Sequence, residues 1–500
     1  MGNMNKLIDE TLLSHLDVLT KQGLRHQVLK ELTRLLKQNP DAAARPALAR
    51  LANRNNAYVL ALRILYPFIR EDREKKLVAS SEILNIYATS LMWIGALEEA
   101  KNCLSRIDGL TDALLTEAFV LFAQWNYQQA IPLLLRYINS TKTTDYQKLV
   151  GKINLLASLI ATGQLKEART LSDSLMKVLS QNPLYRLLYG NSLELRAQIE
   201  ILENSFEAAL RTLNESEKAL SKQAGRYLLY VRKWRAIAEI GISNQNQTAL
   251  NNLALVKQEA VQLRNWETIR DCDFHLARLT NNQELQQRIL LGTPYKGYHD
   301  RIQSIFNVSL QTSRDLKYCP GNPLSQIQSI GLDLNQVSEN SFFTSSSWPL
   351  IQLMTKDIYR PPRMGLVFSG LYKDEYFDPF TSPQRVRNSV FRFNEWAEAC
   401  DNKFRIKVLN GDFILSGPEG VSVACTQNSR PLASWQAALK FFKSSNESRS
   451  FTSAELAKVL GITQRSASGI LKKAVTSNKL QKISSGKNSR YIFFSGRRAG

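Results

Sequence analysis

The chain has 500 residues, of which 44% are hydrophobic and 22% are charged, an ordinary composition for a globular protein of about two to four domains. Its net charge of +21 favours a polyanionic partner, nucleic acid first and an anionic membrane surface second, with a merely soluble basic protein as the alternative. We expect neither a membrane span, which needs roughly 18 uninterrupted apolar residues, nor a signal peptide.

The positive charge is concentrated near the C-terminus. Residues 430–500 contain 14 Lys and Arg against 2 Asp and Glu, whereas residues 320–429 contain 10 against 11 and residues 1–319 contain 41 against 31. More than half of the excess therefore lies in the last 71 residues. This distribution is typical of a basic module attached to a larger body of ordinary charge.

Residues 1–300 show helical periodicity almost throughout, and one short motif recurs in them. A turn residue is followed five positions later by Ala, which indicates a tight turn between two helices and a small residue where they cross. The motif occurs as "GALEEA" at Gly95, "WNYQQA" at Trp125, "GQLKEA" at Gly163 and "NSFEAA" at Asn204. The intervals are 30, 38 and 41 residues, and further candidates lie near Asn56 and Arg264.

These intervals resemble those of tetratricopeptide-like repeats, whose period is about 34 residues. The resemblance covers roughly residues 20–290 and implies an α-solenoid over residues 1–300. Because one helix pair cannot bury its own apolar face, stacked pairs would share a continuous core and offer a concave surface to a protein or peptide ligand. A plain helical bundle without a ligand is the alternative.

Residues 301–345 are predicted to be a linker. Their composition turns to Gly, Pro and Ser, as in "YCPGNPLSQ" and "ENSFFTSSSWP". A short strand is expected inside this segment, for example "IQSIGLDL" from Ile327.

Residues 346–418 are predicted to form three helices and a hairpin. The helices lie in "PLIQLMTKDIY", in "PPRMGLVFSGLY" and in "YFDPFTSPQRVRNSVFRFNEWAEAC". The third helix carries one apolar stripe, made of Val386, Val390, Phe393 and Ala397. Asn410 and Gly411 then stand between alternating apolar residues, which is a strong hairpin pattern.

This succession resembles the winged helix of OmpR/PhoB-type regulators, on the "FDP" at 377–379 and on the stripe. Asn394 and Trp396 stand where the family usually has Arg and Lys, so the resemblance implies a degenerate winged helix. The residues still available to DNA phosphates are Arg385, Arg387 and Arg392. An architectural or protein-binding role is the alternative.

Residues 430–497 are predicted to form a second winged helix-turn-helix. Its helices correspond to "SWQAALKFFKSS", to "FTSAELAKVLGIT" with Ser453 as the N-cap, and to the stretch that follows Thr463. The predicted core residues are Leu456, Leu460, Ala467, Leu471 and Ala474. Strands at 480–483 and 490–494 are expected to form the wing hairpin.

Helix, turn and wing in this order resemble MarR-like winged regulators, in particular Ala-x3-Gly-Ile-Thr followed by a small residue, a Leu and a Lys pair. Their docking geometry places the start of the third helix in the major groove, which implies base contacts by Gln464, Arg465 and Ser468. Gly469 stands where such regulators often carry Arg, so lower base specificity is expected.

The same geometry assigns the remaining cations of the domain to the DNA backbone. Phosphate contacts are expected for Lys472 and Lys473, and contacts with the backbone or the minor groove for Lys487, Asn488 and Arg490. A winged helix that binds protein is the alternative.

No motif in the chain indicates catalysis or a cofactor. Neither a Walker-type phosphate loop nor Gly-x-Gly-x-x-Gly occurs, and the four histidines pair with no cysteine at metal spacing. The five scattered cysteines are typical of reduced thiols in a cytoplasmic protein.

We therefore predict a mainly α protein, an α-solenoid followed by two small α+β winged-helix domains. The predicted function is that of a cytoplasmic, non-enzymatic, DNA-binding transcriptional regulator. Its expected partners are double-stranded DNA and a protein or peptide ligand on the repeats, without membrane binding; a homodimer stays open. The alternative is an interaction scaffold whose winged helices dock proteins.

Overall fold

A computed structural model describes most of the chain. The described residues are 10–21, 24–38, 40–74, 76–221, 226–306, 315–318, 327–329, 348–399, 405–417, 423–426, 450–460, 463–476, 480–484 and 489–493. Among them the protein is mainly helical, as predicted. No helix in these ranges is long and apolar enough to cross a membrane.

Helices account for nearly all of the described structure up to residue 306. Their bounds are α1 (Glu10–Lys21), α2 (Arg25–Lys37), α3 (Arg45–Arg54), α4 (Tyr58–Arg73), α5 (Ser81–Ile94), α6 (Leu97–Leu104), α7 (Thr111–Phe122), α8 (Tyr127–Asn139), α9 (Asp145–Ala161), α10 (Leu165–Leu179), α11 (Arg186–Leu202), α12 (Phe206–Leu220), α13 (Arg226–Ile242), α14 (Gln247–Gln262), α15 (Trp266–Thr280), α16 (Gln283–Gly292) and α17 (Lys296–Phe306). Two short 3₁₀ helices, Ala42–Ala44 and Pro183–Tyr185, precede α3 and α11.

These helices pack in sequence. Each one packs against the next, and alternate helices also meet, as α3 with α5, α5 with α7, α9 with α11, α11 with α13 and α13 with α15. One apolar cluster joins four successive helices through Leu134, Leu156, Leu175 and Ile199. The pairs from α8 to α11 therefore share one core, whose burial offsets the conformational entropy that these helices lose on folding.

The predicted turn residues all have a left-handed backbone. The φ angles are 88° at Gly95, 57° at Trp125, 76° at Gly163 and 60° at Asn204, and Asn56 has a φ of 56°. This conformation ends a helix and reverses the chain. Five positions after each turn residue stands an alanine with no exposed surface, namely Ala61, Ala100, Ala130, Ala168 and Ala209. The prediction of the turn residues is confirmed, and the alanines predicted at the helix crossings are buried.

The chain continues with α18 (Trp348–Lys356), α19 (Met364–Leu371) and α20 (Ser382–Ala399). By their contacts, the residues divide into two compact units. The first, called the repeat unit, comprises residues 1–310, 357–386 and 410–412; the second, called the C-terminal unit, comprises residues 311–356, 387–409 and 413–500. The sequence predicted helices at α18, α19 and α20, and this prediction is confirmed.

Residues 357–381, called the strap, belong to the repeat unit and begin at a buried ion pair. Nη2 of Arg270 on α15 donates to both carboxylate oxygens of Asp357 at 2.7 Å, and Arg270 has no exposed surface. Next to this pair, the Tyr359 hydroxyl donates to Asp273 at 2.8 Å. The first residues of the strap are thus fixed to α15 by charge and by hydrogen bonds.

The strap then contacts the ends of α7 and α5. Nη1 of Arg360 donates to the Ala123 carbonyl at 3.0 Å, and Nη1 of Arg363 donates to the Trp93 carbonyl at 2.8 Å. Guanidinium groups at C-terminal carbonyls also interact favourably with the helix dipole.

The strap ends on α4 and α6. The Tyr66 hydroxyl of α4 donates to Asp378 at 2.8 Å, and the Phe377 N–H donates to the Glu99 carboxylate of α6 at 2.8 Å. Burial, together with the bond to Asp378, raises the pKa of Tyr66 to about 12. The strap therefore crosses the helix pairs in reverse order, from α15 to α4.

The C-terminal unit contains most of the described strands. β1 (Asp315–Tyr318) pairs antiparallel with both β2 (Ile327–Ser329) and β5 (Val423–Thr426), while β3 (Arg405–Leu409) and β4 (Asp412–Ser416) form a hairpin. Positive φ angles at Asn410 and Gly411 confirm the predicted turn. Ile406 of β3 is buried, whereas Val408 is 48% exposed, because the last three residues of β3 project into solvent.

The last described elements pack as one small module. They are β6 (Phe451–Thr452), α21 (Ser453–Leu460), α22 (Gln464–Thr476), β7 (Leu480–Lys482) and β8 (Arg490–Phe493), with the sheet order β6-β8-β7. The predicted core residues Leu456, Ala467, Leu471 and Ala474 are buried together with Phe451, Leu480 and Tyr491. The side chain of Leu460, the fifth predicted core residue, lies outside the described part of the chain. The predicted first helix, 434–445, lies outside the described residues.

Candidate nucleic-acid interface

Helix α22 has one buried and one exposed face. Ala467, Leu471 and Ala474, spaced four and three residues apart, are at most 1% exposed. At other positions of the helix, Gln464, Arg465, Ser468, Gly469 and Lys472 are exposed. This separation follows from the helical period, since residues three or four apart share a face.

Two cations on the exposed face have no partner within the described chain. Arg465 and Lys472 form no ion pair with any residue in the described ranges. Their positive charges are therefore presented to solvent and are available to an anion.

The other predicted base-contacting residues are partly engaged. Nε2 of Gln464 donates to Oγ of Ser453 at 3.3 Å, which ties the start of α22 to the start of α21. Oγ of Ser468 donates to the Gln464 carbonyl at 2.8 Å and keeps its acceptor sites. The Gln464 amide oxygen and the Ser468 hydroxyl oxygen can still accept hydrogen bonds from a ligand.

The N-cap of α21 differs from the prediction. The N-cap is Thr452 and not Ser453. Oγ1 of Thr452 accepts the Glu455 N–H at 3.2 Å, and the Glu455 carboxylate accepts the Thr452 N–H at 2.7 Å. This reciprocal pair is a capping box, which requires Glu or Gln three residues after the cap. Glu455 has this spacing from Thr452 and not from Ser453, so the sequence contained the evidence for the correct cap.

Strands β7 and β8 contribute one cation that the sequence predicted and one that it did not. Arg490 is exposed, and its Nη1 donates to Oγ of Ser450 at 3.0 Å. Lys482, on the neighbouring strand β7, is also exposed. The Lys473 side chain, Lys487 and Asn488 lie outside the described residues.

The three arginines predicted near α20 differ in their surroundings. Arg385, in the repeat unit, forms a bidentate pair with Glu375 at 2.5 and 2.9 Å and stacks on the Tyr372 ring at 3.9 Å, so its charge is already compensated. Arg387 and Arg392 are exposed on α20 in the C-terminal unit.

No protein-family model matches this chain, and no curated protein matches it either.

Proposed function

We propose that this protein is a DNA-binding transcriptional regulator whose C-terminal module contacts duplex DNA. The observation that carries the proposal is the exposed face of α22, where Arg465 and Lys472 lie opposite a buried apolar stripe and form no ion pair with the described residues. A helix of this kind fits the major groove with its apolar side against its own domain.

The chemistry of the face suggests a role for each residue. Arg465 can bind guanine through two N–H groups, and Gln464 can bind adenine, whereas Lys472 lies two turns into the helix and suits a phosphate. The concentration of positive charge in residues 430–500 supports the same partner, because cations that replace DNA counterions supply most of the non-specific affinity.

The resemblances extend the proposal to the rest of the chain. The element order from β6 to β8 supports a MarR-like winged helix. For a degenerate OmpR/PhoB-like one the support is the order of α18, α19, α20 and the β3–β4 hairpin alone, because α19 packs on α5 within the repeat unit. The repeated turns and buried alanines support an α-solenoid of tetratricopeptide-like helix pairs, which would receive a protein or peptide.

Replacing Arg465 or Lys472 with Ala tests the proposed interface. Fluorescence anisotropy with the full chain and mixed-sequence duplex DNA should give an affinity that falls steeply between about 50 and 200 mM salt. Arg465→Ala should weaken binding about tenfold, and Lys472→Ala should reduce the magnitude of the salt slope by about one. Lys166→Ala, which removes an exposed cation on α10, is the matched control. If neither variant at α22 differs from that control, α22 is not the interface.

Gly469→Arg should strengthen DNA binding. Gly469 is exposed, and a Cβ atom built there meets no atom within 4 Å, so a side chain can leave the helix there and bring a guanidinium to the face of Arg465 and Lys472. We expect about tenfold tighter binding and a salt slope steeper by about one, in the same anisotropy titration. Gly469→Ala is the control, because it adds helix propensity without adding charge. If Gly469→Ala and Gly469→Arg changed the DNA affinity equally, the result would argue against a duplex close to residue 469.

An interaction scaffold is the second candidate, because the strap shows that the ends of α5 and α7 accept a polypeptide. Anisotropy of the full chain decides between the two functions. The absence of any salt-dependent DNA binding, together with protein partners that remain bound after nuclease treatment, would favour the scaffold.

A further inference from the structure

Helix α4 carries a row of tyrosines and arginines on the face that the end of the strap reaches. Arg63, Tyr66, Arg70 and Arg73 are spaced three and four residues apart, so they share one face of the helix. Tyr58 stands at the start of α4, about 12 Å before Tyr66 at the helical rise per residue. These five residues are called the α4 row, and they extend over the whole helix.

Two aromatic rings from other elements lie on the first part of the α4 row. The Trp93 ring, at the end of α5, stacks on Tyr58 with centroids 5.4 Å apart and ring planes 8° from parallel. The Phe380 ring, at the end of the strap, meets Tyr66 edge-on at 5.8 Å. Although both rings are held by these contacts, Trp93 is 43% exposed and Phe380 is 56% exposed.

A third ring lies at the other end of the α4 row. The guanidinium carbon of Arg73 is 4.0 Å from the centroid of the Tyr376 ring, and Tyr376 is 53% exposed. Arg73 follows Tyr66 by about 10 Å along the helix. Three exposed rings therefore follow one another along α4 at intervals of about 10 to 12 Å.

Two cations stand between the rings. Arg63 is exposed, its Nε donates to the Pro379 carbonyl at 3.0 Å, and its guanidinium lies 5.6 Å from the Phe380 centroid. It forms no ion pair with any residue in the described ranges. Arg70 is 3.6 Å from Glu74, but both side chains are exposed, so this pair compensates weakly. An anion can therefore reach two positive charges on the α4 row.

The carboxylates beside the α4 row are mostly bonded. Glu99 pairs with an arginine of the row, Asp378 accepts from a tyrosine hydroxyl of the row, and Glu375 forms a bidentate ion pair within the strap. Asp374 is exposed and forms no ion pair within the described part of the chain, and the exposed Lys373 precedes it. Repulsion of an anion by this surface is therefore weak.

The alternation of rings and cations indicates the kind of ligand. A docked protein usually covers a contiguous apolar patch, whereas arginines interrupt the apolar surface on α4. A single strand of nucleic acid alternates flat bases with phosphates, and proteins bind it by combining aromatic rings with cations. A duplex does not fit these rings in the same way, because its base faces are covered by stacking on one another.

We propose that the α4 row and its three rings bind single-stranded nucleic acid. Bases stack on Trp93, Phe380 and Tyr376, and phosphates meet Arg63 and Arg70. Every base has a π face, so the site accepts strands of different sequence. It belongs to the repeat unit and binds another form of nucleic acid than the duplex proposed for α22.

Fluorescence anisotropy of the full chain with a labelled oligothymidine of about 20 nucleotides tests the site. An excess of unlabelled mixed-sequence duplex is present, so that it occupies any surface that binds duplex DNA. We expect the oligothymidine to bind in spite of this excess. The same titration with oligouridine distinguishes DNA from RNA, and binding of either strand supports the proposal.

Variants of the rings and of one arginine locate the binding. Trp93→Ala and Phe380→Ala should each weaken single-strand binding about tenfold and leave the duplex affinity unchanged. Phe380→Tyr keeps a ring and should bind like the natural protein, whereas Phe380→Leu keeps only apolar surface and should lose about tenfold. Arg63→Ala should reduce the magnitude of the salt slope by about 0.7. Tyr146→Ala, which removes an exposed ring on α9, is the matched control.

Three results would overturn the proposal. The first is a natural chain that binds neither oligothymidine nor oligouridine; a protein partner lost from Phe380→Ala after nuclease treatment would then identify the rings as a protein-docking surface. The second is strand binding that excess duplex abolishes, since the strand would then share the duplex site. The third is natural affinity in Phe380→Leu, which would mean that no base stacks on this ring. Duplex and strand affinities are measured separately, so a failure here is distinct from a failure at α22.

Discussion

Asp357→Ala is expected to lower the free energy of unfolding of the repeat unit by about 3–5 kcal/mol, because it leaves a buried guanidinium without its main anion. Arg270 is fully buried, and both carboxylate oxygens of Asp357 accept from its Nη2 at 2.7 Å. Glu267 remains 3.3 Å from Nη1, but its side chain is 41% exposed and compensates weakly. The same substitution removes the acceptor of the Tyr359 N–H and frees the start of the strap.

Urea unfolding of the full chain, followed by circular dichroism of the helices, measures the loss. Asp357→Asn keeps an acceptor for the Tyr359 N–H and loses only the charge, so it should fall between Asp357→Ala and the natural protein. Asp374→Asn is the matched control, since this strap carboxylate is exposed and Asn tolerates its φ of 68°. A loss of less than about 1 kcal/mol for Asp357→Ala would mean that Arg270 finds adequate compensation elsewhere.

The turns of the helix pairs could be predicted from the sequence because their cause is local. Gly163 ends α9 with a positive φ, and Ala168 has no side chain beyond Cβ to hold the helices apart. Both properties belong to single residue types at a fixed spacing. The buried stripe of α22 was predictable for the same reason, since Ala467 and Leu471 lie one turn apart.

The strap could not be predicted in the same way. Arg270 and Asp357 are 87 residues apart, and an ion pair between distant residues leaves no periodic pattern in the chain. The sequence predicts that α19 is a helix, but it does not predict against which helices α19 will pack. The buried His275 ring, which has no hydrogen-bond partner among the residues that the structure describes, could not be predicted either, because a single histidine in a helix has the same local sequence pattern whether its ring is bonded or not.

Helix capping is the intermediate case. Thr452 and Ser453 are both good N-caps by residue type, and only the reciprocal bond from Glu455 separates them. The capping-box spacing selects Thr452, because Glu455 stands three residues after Thr452 and only two after Ser453.

Gly365→Ala should destabilise the repeat unit by about 1–3 kcal/mol, although alanine ordinarily stabilises a helix. Gly365 lies in the first turn of α19, where the strap passes the turn between α5 and α6. A Cβ atom there would stand 2.8 Å from the Ala96 nitrogen and 2.9 Å from Cβ of Ala96 and Cγ1 of Ile94. The first of these atoms is backbone and cannot rotate away, so the strap or the turn must shift.

Urea unfolding of the full chain measures the loss, and the hydrogen-exchange protection of residues 364–371 locates it in α19. Gly469→Ala is the matched control: it is also a helical glycine, and its added Cβ meets no atom within 4 Å. That variant should gain up to about 1 kcal/mol, as helix propensity alone predicts, and should keep the protection of α22. The two substitutions are expected to change the free energy of unfolding in opposite directions, because α19 closely approaches the turn between α5 and α6 at Gly365. If both variants were stabilising, α19 would be held loosely enough to move by several tenths of an ångström, and Gly365 would not fix the strap in place.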